Sequence, residues 1–238
     1  MGGEVAPKRL VLLPGLDGTG QLFADFLAAL PVTLIATVVS YPPEKFLSYA
    51  DLLPFVSAAA PRAEPFALLA ESFSTPIALR YAATNPPNLA AVVICAGFVF
   101  KPIGGWSWIV KRVAKPWIFR LRPPRRILED FLIGSNAPQA LVQKLRQALR
   151  IVSPAVLSRR VREALDCDAR NDLARTTVPI MYVQAAHDRL LAESCRTEIF
   201  RMRPDITGAV VQGPHLILQR EPQKAANLVA TFVGQLGV

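Results

Sequence analysis

Chemistry in this chain centres on the stretch Phe66-Ala67-Leu68-Leu69-Ala70-Glu71-Ser72-Phe73-Ser74-Thr75-Pro76-Ile77. An apolar run suited to a buried strand ends at Ser72, with a small residue two before it (Ala70) and two after it (Ser74), and a helix-like segment follows. That is the shape of a nucleophile elbow. A sharp strand-to-helix turn holds the serine backbone in a strained conformation, so its neighbours two residues away must be small to avoid the adjoining strand and helix. The usual pattern is Gly-x-Ser-x-Gly and this chain carries Ala-x-Ser-x-Ser, which adds atoms where the turn is tight. A serine ending a strand before a helix also fits an ordinary N-cap, and the stretch alone leaves both readings open.

A second stretch fits the first. Leu10-Val11-Leu12-Leu13 predicts a short buried strand, and Pro14-Gly15-Leu16-Asp17-Gly18-Thr19-Gly20 follows it. Such a glycine-rich loop can turn backbone N–H groups toward a bound group. Its glycines do not spell the dinucleotide pattern Gly-x-Gly-x-x-Gly, and no acidic residue ends a second strand about 20 residues on, where a ribose would need it.

The elements that position these residues follow an α/β rhythm. Helical periodicity predicts helices over residues 21–30, 46–60 and 73–83, and β-branched or apolar runs predict strands over 32–39, 65–70 and 89–96. Continuous apolar strands alternating with helices are what a parallel sheet covered on both faces requires. From about Lys101 the rhythm stops, and residues 101–170 are rich in Pro, Trp and Arg, with helical fragments at 137–150 and 154–165. It resumes with a strand over 178–184, a helix over 193–202, a strand over 205–211 and a closing helix over 222–234. The expected organisation is one core built from residues 1–100 and 171–238, with residues 101–170 inserted as a basic helical lid.

At 238 residues the chain can bury one large core, and its 52% apolar content suits a deeply buried sheet. Residues 1–9 lack the apolar stretch of a signal peptide, and the longest uncharged apolar run, 89–100, is far shorter than the roughly 20 residues a membrane helix needs. Cys95, Cys167 and Cys195 show neither metal-type spacing nor a paired framework, and Cys95 reads as a small core residue. The expectation is a cytoplasmic protein with reduced thiols.

The order of these features resembles the α/β-hydrolase fold: a glycine loop after an early strand, a serine elbow, a lid, an Asp after a late strand and a His after the last one. Members of that family place their triad in the chain order Ser, acid, His, and here the order is filled by Ser72, Asp188 and His215. The resemblance makes Ser72 the nucleophile, His215 its base and Asp188 the group that orients the imidazole. The oxyanion donors it implies are the backbone amides of Leu16 and Phe73. Many relatives carry His-Gly where this chain has Pro14-Gly15. His187, beside Asp188, is the rival base, and Asp166 and Asp168 are the rival acids. A serine at the elbow disfavours dehalogenase and epoxide-hydrolase chemistry, which uses Asp there, and leaves esterase, thioesterase, C–C hydrolase and perhydrolase chemistry. The resemblance implies neither cofactor nor metal.

The net charge of +9 is concentrated: residues 101–170 hold 15 Lys or Arg against 5 Asp or Glu, and the rest of the chain holds 12 against 13. Apolar lid residues, among them Trp106, Trp108, Trp117 and Phe131, are candidates for an acyl-pocket wall or for simple burial of the lid. Lys111, Arg112, Lys115, Arg120, Arg122, Arg125 and Arg126 form a dense basic cluster, which reads either as a solvated face or as a docking site. In size, triad order and basic lid the chain is similar to the pimeloyl-acyl-carrier-protein methyl ester esterases, which implies a carrier-linked methyl ester and an acyl carrier protein as partner. A generic carboxylesterase or thioesterase, an interfacial lipase whose lid meets an anionic membrane, and a non-catalytic carrier-binding scaffold are the alternatives. No nucleic-acid recognition motif accompanies the charge.

Overall fold

The computed structural model describes residues 8–121 and 123–236. Among these residues six strands form one sheet: β1 (Lys8–Leu13), β2 (Leu34–Val38), β3 (Phe66–Glu71), β4 (Leu89–Cys95), β5 (Ile180–Ala185) and β6 (Thr207–Val211). Their order is β2-β1-β3-β4-β5-β6 and every pairing is parallel. All six residues of β3 are buried, as a central parallel strand covered on both faces demands.

Strand alternation sends successive side chains to opposite faces and divides the core in two. Val11, Leu13, Leu68, Ala70, Val92 and Ile94 pack on one face against α2 (Tyr49–Ala59), α3 (Thr75–Ala82) and later helices. Leu10, Leu12, Leu69, Val93 and Val183 pack on the other, where α1 (Ala24–Ala29) lies. The predicted helix over 46–60 begins only at Tyr49. Ser48 caps it, its hydroxyl accepting from the Asp51 amide while the Asp51 carboxylate accepts from the Ser48 amide.

Between β4 and β5 the chain is helical, and its helices run on to Arg175. They are α4 (Ser107–Val113), α5 (Pro116–Arg120), α6 (Arg125–Leu128) with a π-turn over Glu129–Ile133, α7 (Gln139–Ile151), α8 (Pro154–Leu165) and α9 (Arg170–Arg175). Amphipathic α7 buries Leu141, Val142, Leu145 and Ala148 together with Leu22 and Leu216, so the insertion has a small core of its own that is shared with the loops of the sheet. After β5 come α10 (Glu193–Met202), α11 (Ile217–Arg220) and α12 (Pro222–Gln235). Among the described residues no helix is long and apolar enough to cross a membrane, and Cys95, Cys167 and Cys195 are all buried free thiols.

The strand order explains where a site can form. β1 leads to β2 on one side of it and the chain then returns to β3 on the other, so the loops leaving the C-terminal ends of β1 and β3 part in opposite directions and open a crevice between them. The glycine loop and Ser72 stand on the two sides of that crevice.

Gly97 keeps β4 and α3 close: a Cβ there would lie 2.2 Å from Thr75 Oγ1 and 2.3 Å from Ile94 Cγ2. Gly97→Ala is expected to lower stability by about 1–3 kcal/mol through overpacking, read as a fall in the urea midpoint; an unchanged midpoint would contradict the close packing.

Candidate active site

Ser72 follows the last residue of β3 directly and adopts φ 48°, a left-handed conformation rarely taken by a residue with a side chain. A 3-10 turn over Ser72–Ser74 leads from it into α3, so the elbow shape expected from the small flanking residues is present. Ala70 is fully buried, and Ser74 has a task of its own. The Ser74 hydroxyl donates to the carbonyl of Pro14, and Tyr41 supplies a hydroxyl 2.7 Å from Ser74 Oγ. With the Ser74 proton committed to Pro14, Tyr41 is the donor to Ser74. The departure from glycine at position 74 thus ties the elbow to the glycine loop.

Ser72, His215 and Asp188 come together in one hydrogen-bonded line. His215 Nε2 lies 2.8 Å from Ser72 Oγ, and His215 Nδ1 lies 2.7 Å from Asp188 Oδ2. The second Asp188 oxygen accepts from the backbone amides of Leu190 at 2.8 Å and Leu191 at 3.0 Å. Burial alone would push the Asp188 carboxyl up; the hydrogen bond and charge of His215 and these two amides outweigh it, and the group sits below the ordinary carboxylate range. An ionised Asp188 selects the tautomer with the proton on Nδ1, which leaves the Nε2 lone pair facing the serine hydroxyl. His215 is 2% exposed, and it is presented by the turn between β6 and α11, where its carbonyl accepts from the Ile217 amide.

The rival residues are elsewhere. His187 is exposed, with its amide donating to the Gly213 carbonyl. Asp166 is paired with Lys111, and Asp168 with Arg170. Among the described residues the Leu16 amide donates to no protein acceptor, and the Phe73 amide lies in the first turn of the 3-10 segment, where amides lack intrahelical partners. Both remain available to a ligand oxygen. The loop that carries Leu16 is held by a Gly18 amide to Gly15 carbonyl bond of 3.0 Å and a Tyr41 amide to Gly18 carbonyl bond of 2.7 Å. The Asp17 carboxylate accepts from the Thr19 amide and hydroxyl.

The insertion contributes unevenly. Trp108 and Trp117 are 66% and 60% exposed, so neither is buried against the core, and Phe131 is half exposed under the Arg189 guanidinium. Lys111 pairs with Asp166 and Arg125 with Glu129, while Arg126 stands 3.9 Å from Asp130. Arg112, Lys115 and Arg120 are exposed and make no ion pair among the described residues. The Trp106 side chain and Arg122 lie outside the described residues. No group of His, Cys, Asp or Glu among the described residues could hold a metal ion.

Glu71 and Arg160, both buried, were not singled out from sequence. Glu71, next to the nucleophile, is 2% exposed, accepts from Gln219 Nε2 at 3.3 Å and faces the Gly15 amide. Its signal was an acidic residue closing a wholly apolar strand. Burial, helped by the negative charge of Asp17, pushes its carboxyl up to about 8 against the pull of Gln219 and Gly15. Arg160 of α8 is 1% exposed; its signal was its place three and four residues after Leu157 and Val156, on the apolar stripe of the helix.

The Glu71 carboxyl predicts a pH dependence. An unfolded glutamate titrates near 4.5, so between 4.5 and about 8 the folded chain binds one proton more than the unfolded chain. This contribution to stability is therefore complete below 4.5 and is lost as pH rises through about 8. The gap in unfolding midpoint between Glu71→Gln and wild type should shift in favour of the variant across that window; a gap that stays constant with pH would contradict it.

Neither a family model nor a curated protein sequence matches the chain. Solved structures do. A hydrolase from Oleispira antarctica superposes at TM-score 0.82 with 15% identity, over 98% of this chain and 92% of the other. An esterase from Exiguobacterium antarcticum does so at 0.77 and 15%, over 98% and 94%. A bromoperoxidase from Bacillus anthracis does so at 0.79 and 13%, over 97% and 93%. With its parallel sheet, its elbow and these likenesses along nearly its whole length, the chain has the α/β-hydrolase fold.

Proposed function

We propose that this protein is a serine carboxylic-ester hydrolase that works through an acyl-enzyme on Ser72. The observation that carries the reading is the unbroken line Asp188, His215, Ser72, with the nucleophile at φ 48°. His215 Nε2 accepts the Ser72 proton as Oγ bonds to the ester carbonyl carbon, and Asp188 stabilises the imidazolium that forms. Negative charge moves onto the carbonyl oxygen, where the Leu16 and Phe73 amides donate to it. As the tetrahedral adduct collapses, the C–O bond breaks and the alcohol leaves with the proton from His215. Water, deprotonated by the same imidazole, then attacks the acyl-enzyme and releases the acid and free Ser72. Structural neighbours that include an esterase and other hydrolases support this class.

Substrate choice rests on the insertion. The excess of positive charge in residues 101–170, with Arg112, Lys115 and Arg120 exposed, favours an acyl group delivered on an acidic acyl carrier protein, as a methyl ester of the pimeloyl type. A second reading has an observation of its own. Of the nine exposed large apolar side chains among the described residues, six lie between Trp108 and Phe131, among the same cations, which suits an anionic lipid interface. A non-catalytic scaffold would have no use for a strained serine on an aligned histidine.

Ser72→Ala should reduce turnover of short p-nitrophenyl esters by roughly 10⁴-fold or more, and Asp188→Asn by about 10⁴-fold in kcat. Undiminished turnover in Ser72→Ala would sink the reading. For the substrate, raising salt from about 0.02 to about 0.5 M should depress kcat/KM for a carrier-linked methyl ester and spare the free ester, since screening weakens only the charged encounter. Activation by anionic vesicles, with no preference for the carrier, would favour the lipid reading instead.

A further inference from the structure

One charged side chain of the helical insertion hydrogen-bonds to the glycine loop. Arg160 Nη1 donates to the Asp17 carbonyl at 2.7 Å and to the Leu16 carbonyl at 3.1 Å, and Nη2 donates to the Pro42 carbonyl at 3.1 Å. All three acceptors belong to loops at the C-terminal ends of β1 and β2. The guanidinium also lies 5.7 Å from the centroid of the Tyr41 ring, the residue that supports Ser74. Gly18 makes room for it, since a Cβ there would sit 2.5 Å from Arg160 Nη1. Close by, Val156 and Leu157 of the same helix pack with the Leu16 side chain.

These contacts flank one peptide plane. The Leu16 N–H shares its plane with the Gly15 carbonyl, which the Gly18 amide holds, and the two point in opposite directions. The next plane carries the Leu16 carbonyl, which Arg160 holds. Fixing both planes fixes φ and ψ at Leu16 and so the aim of its N–H. Burying a cation against neutral carbonyls costs desolvation that an apolar side chain would avoid, and what the fork supplies here is direction. A glycine-rich backbone is soft, and Arg160 adds to the Gly18–Gly15 bond the hold on the Leu16 carbonyl that the loop's own bonds do not supply.

We propose that Arg160 is a positioning residue for the Leu16 amide, so that the helical insertion sets the geometry of the oxyanion hole in the core. This rests on the ester-hydrolase reading given above. The test compares wild type with Arg160→Met and Arg160→Lys in p-nitrophenyl butyrate hydrolysis, in affinity for an alkyl trifluoromethyl ketone that adds to the serine as a tetrahedral adduct, and in thermal unfolding. Arg160→Met should lose ~10- to 100-fold in kcat at little change in KM, with a parallel loss in ketone affinity. Arg160→Lys should fall between the two, because an ammonium restores the charge without the planar fork. A rise in KM at unchanged kcat, or losses that merely follow the fraction unfolded, would overturn the proposal. If Arg160→Met does not fold, Arg160→Lys decides alone: reduced kcat at constant KM supports the role, and wild-type kcat overturns it. Fluorophosphonate labelling of wild type separates the two levels. An unlabelled Ser72 overturns the hydrolase reading and this proposal together, whereas a labelled wild type beside a fully active Arg160→Met overturns the positioning role alone.

Discussion

The site depends on holding Ser72 at φ 48° against a backbone that would relax if it could. Such a conformation costs on the order of 1–3 kcal/mol and persists only where the surroundings over-determine it. Here they do. β3 is buried at every residue and locked between β1 and β4, and α3 is buried along nearly its whole length. Neither element can shift to relieve the turn between them, so the strain presents Oγ to the crevice instead.

The second constraint is that the crevice has two walls that belong to different parts of the chain. One wall is the elbow and the other is the loop after β1. They are joined by the Tyr41, Ser74 and Pro14 hydrogen bonds, and by the Gly15 amide facing the Glu71 carboxyl. His215 and Asp188 arrive on the loops after β6 and β5, so the line of three side chains spans three separate strand ends. Parallel strands make this possible, because every C-terminal end opens on the same edge of the sheet.

Much of this was legible from residue order. Apolar runs and helical periodicity placed the strands and most helices, since the two periods differ and a doubly covered parallel sheet leaves nearly uninterrupted apolar strands. The helices over 154–165 and 193–202 were expected with the bounds the structure shows. Ser72, Asp188 and His215, which the resemblance picks out by their order after three strands, lie in one hydrogen-bonded line. In the sequence Ser74 reads as the small residue an elbow needs and as a departure from glycine that adds atoms to a tight turn; only its partners across the fold, Tyr41 and Pro14, show why a hydroxyl is there.

The sequence by itself determined the alternation of strands and helices, the glycine loop, the serine turn and the concentration of charge between β4 and β5, since all of these are properties of neighbours along the chain. Only the tertiary structure decided that Glu71 is a buried carboxyl beside the glycine loop, that Trp108 and Trp117 face solvent, and that Arg160 holds the carbonyls of Leu16 and Asp17. The physical reason is distance along the chain. A buried charge is recognised by what surrounds it, and those surroundings are assembled from residues distant in the chain: Leu16, Asp17 and Pro42 around Arg160, Gly15 and Gln219 around Glu71.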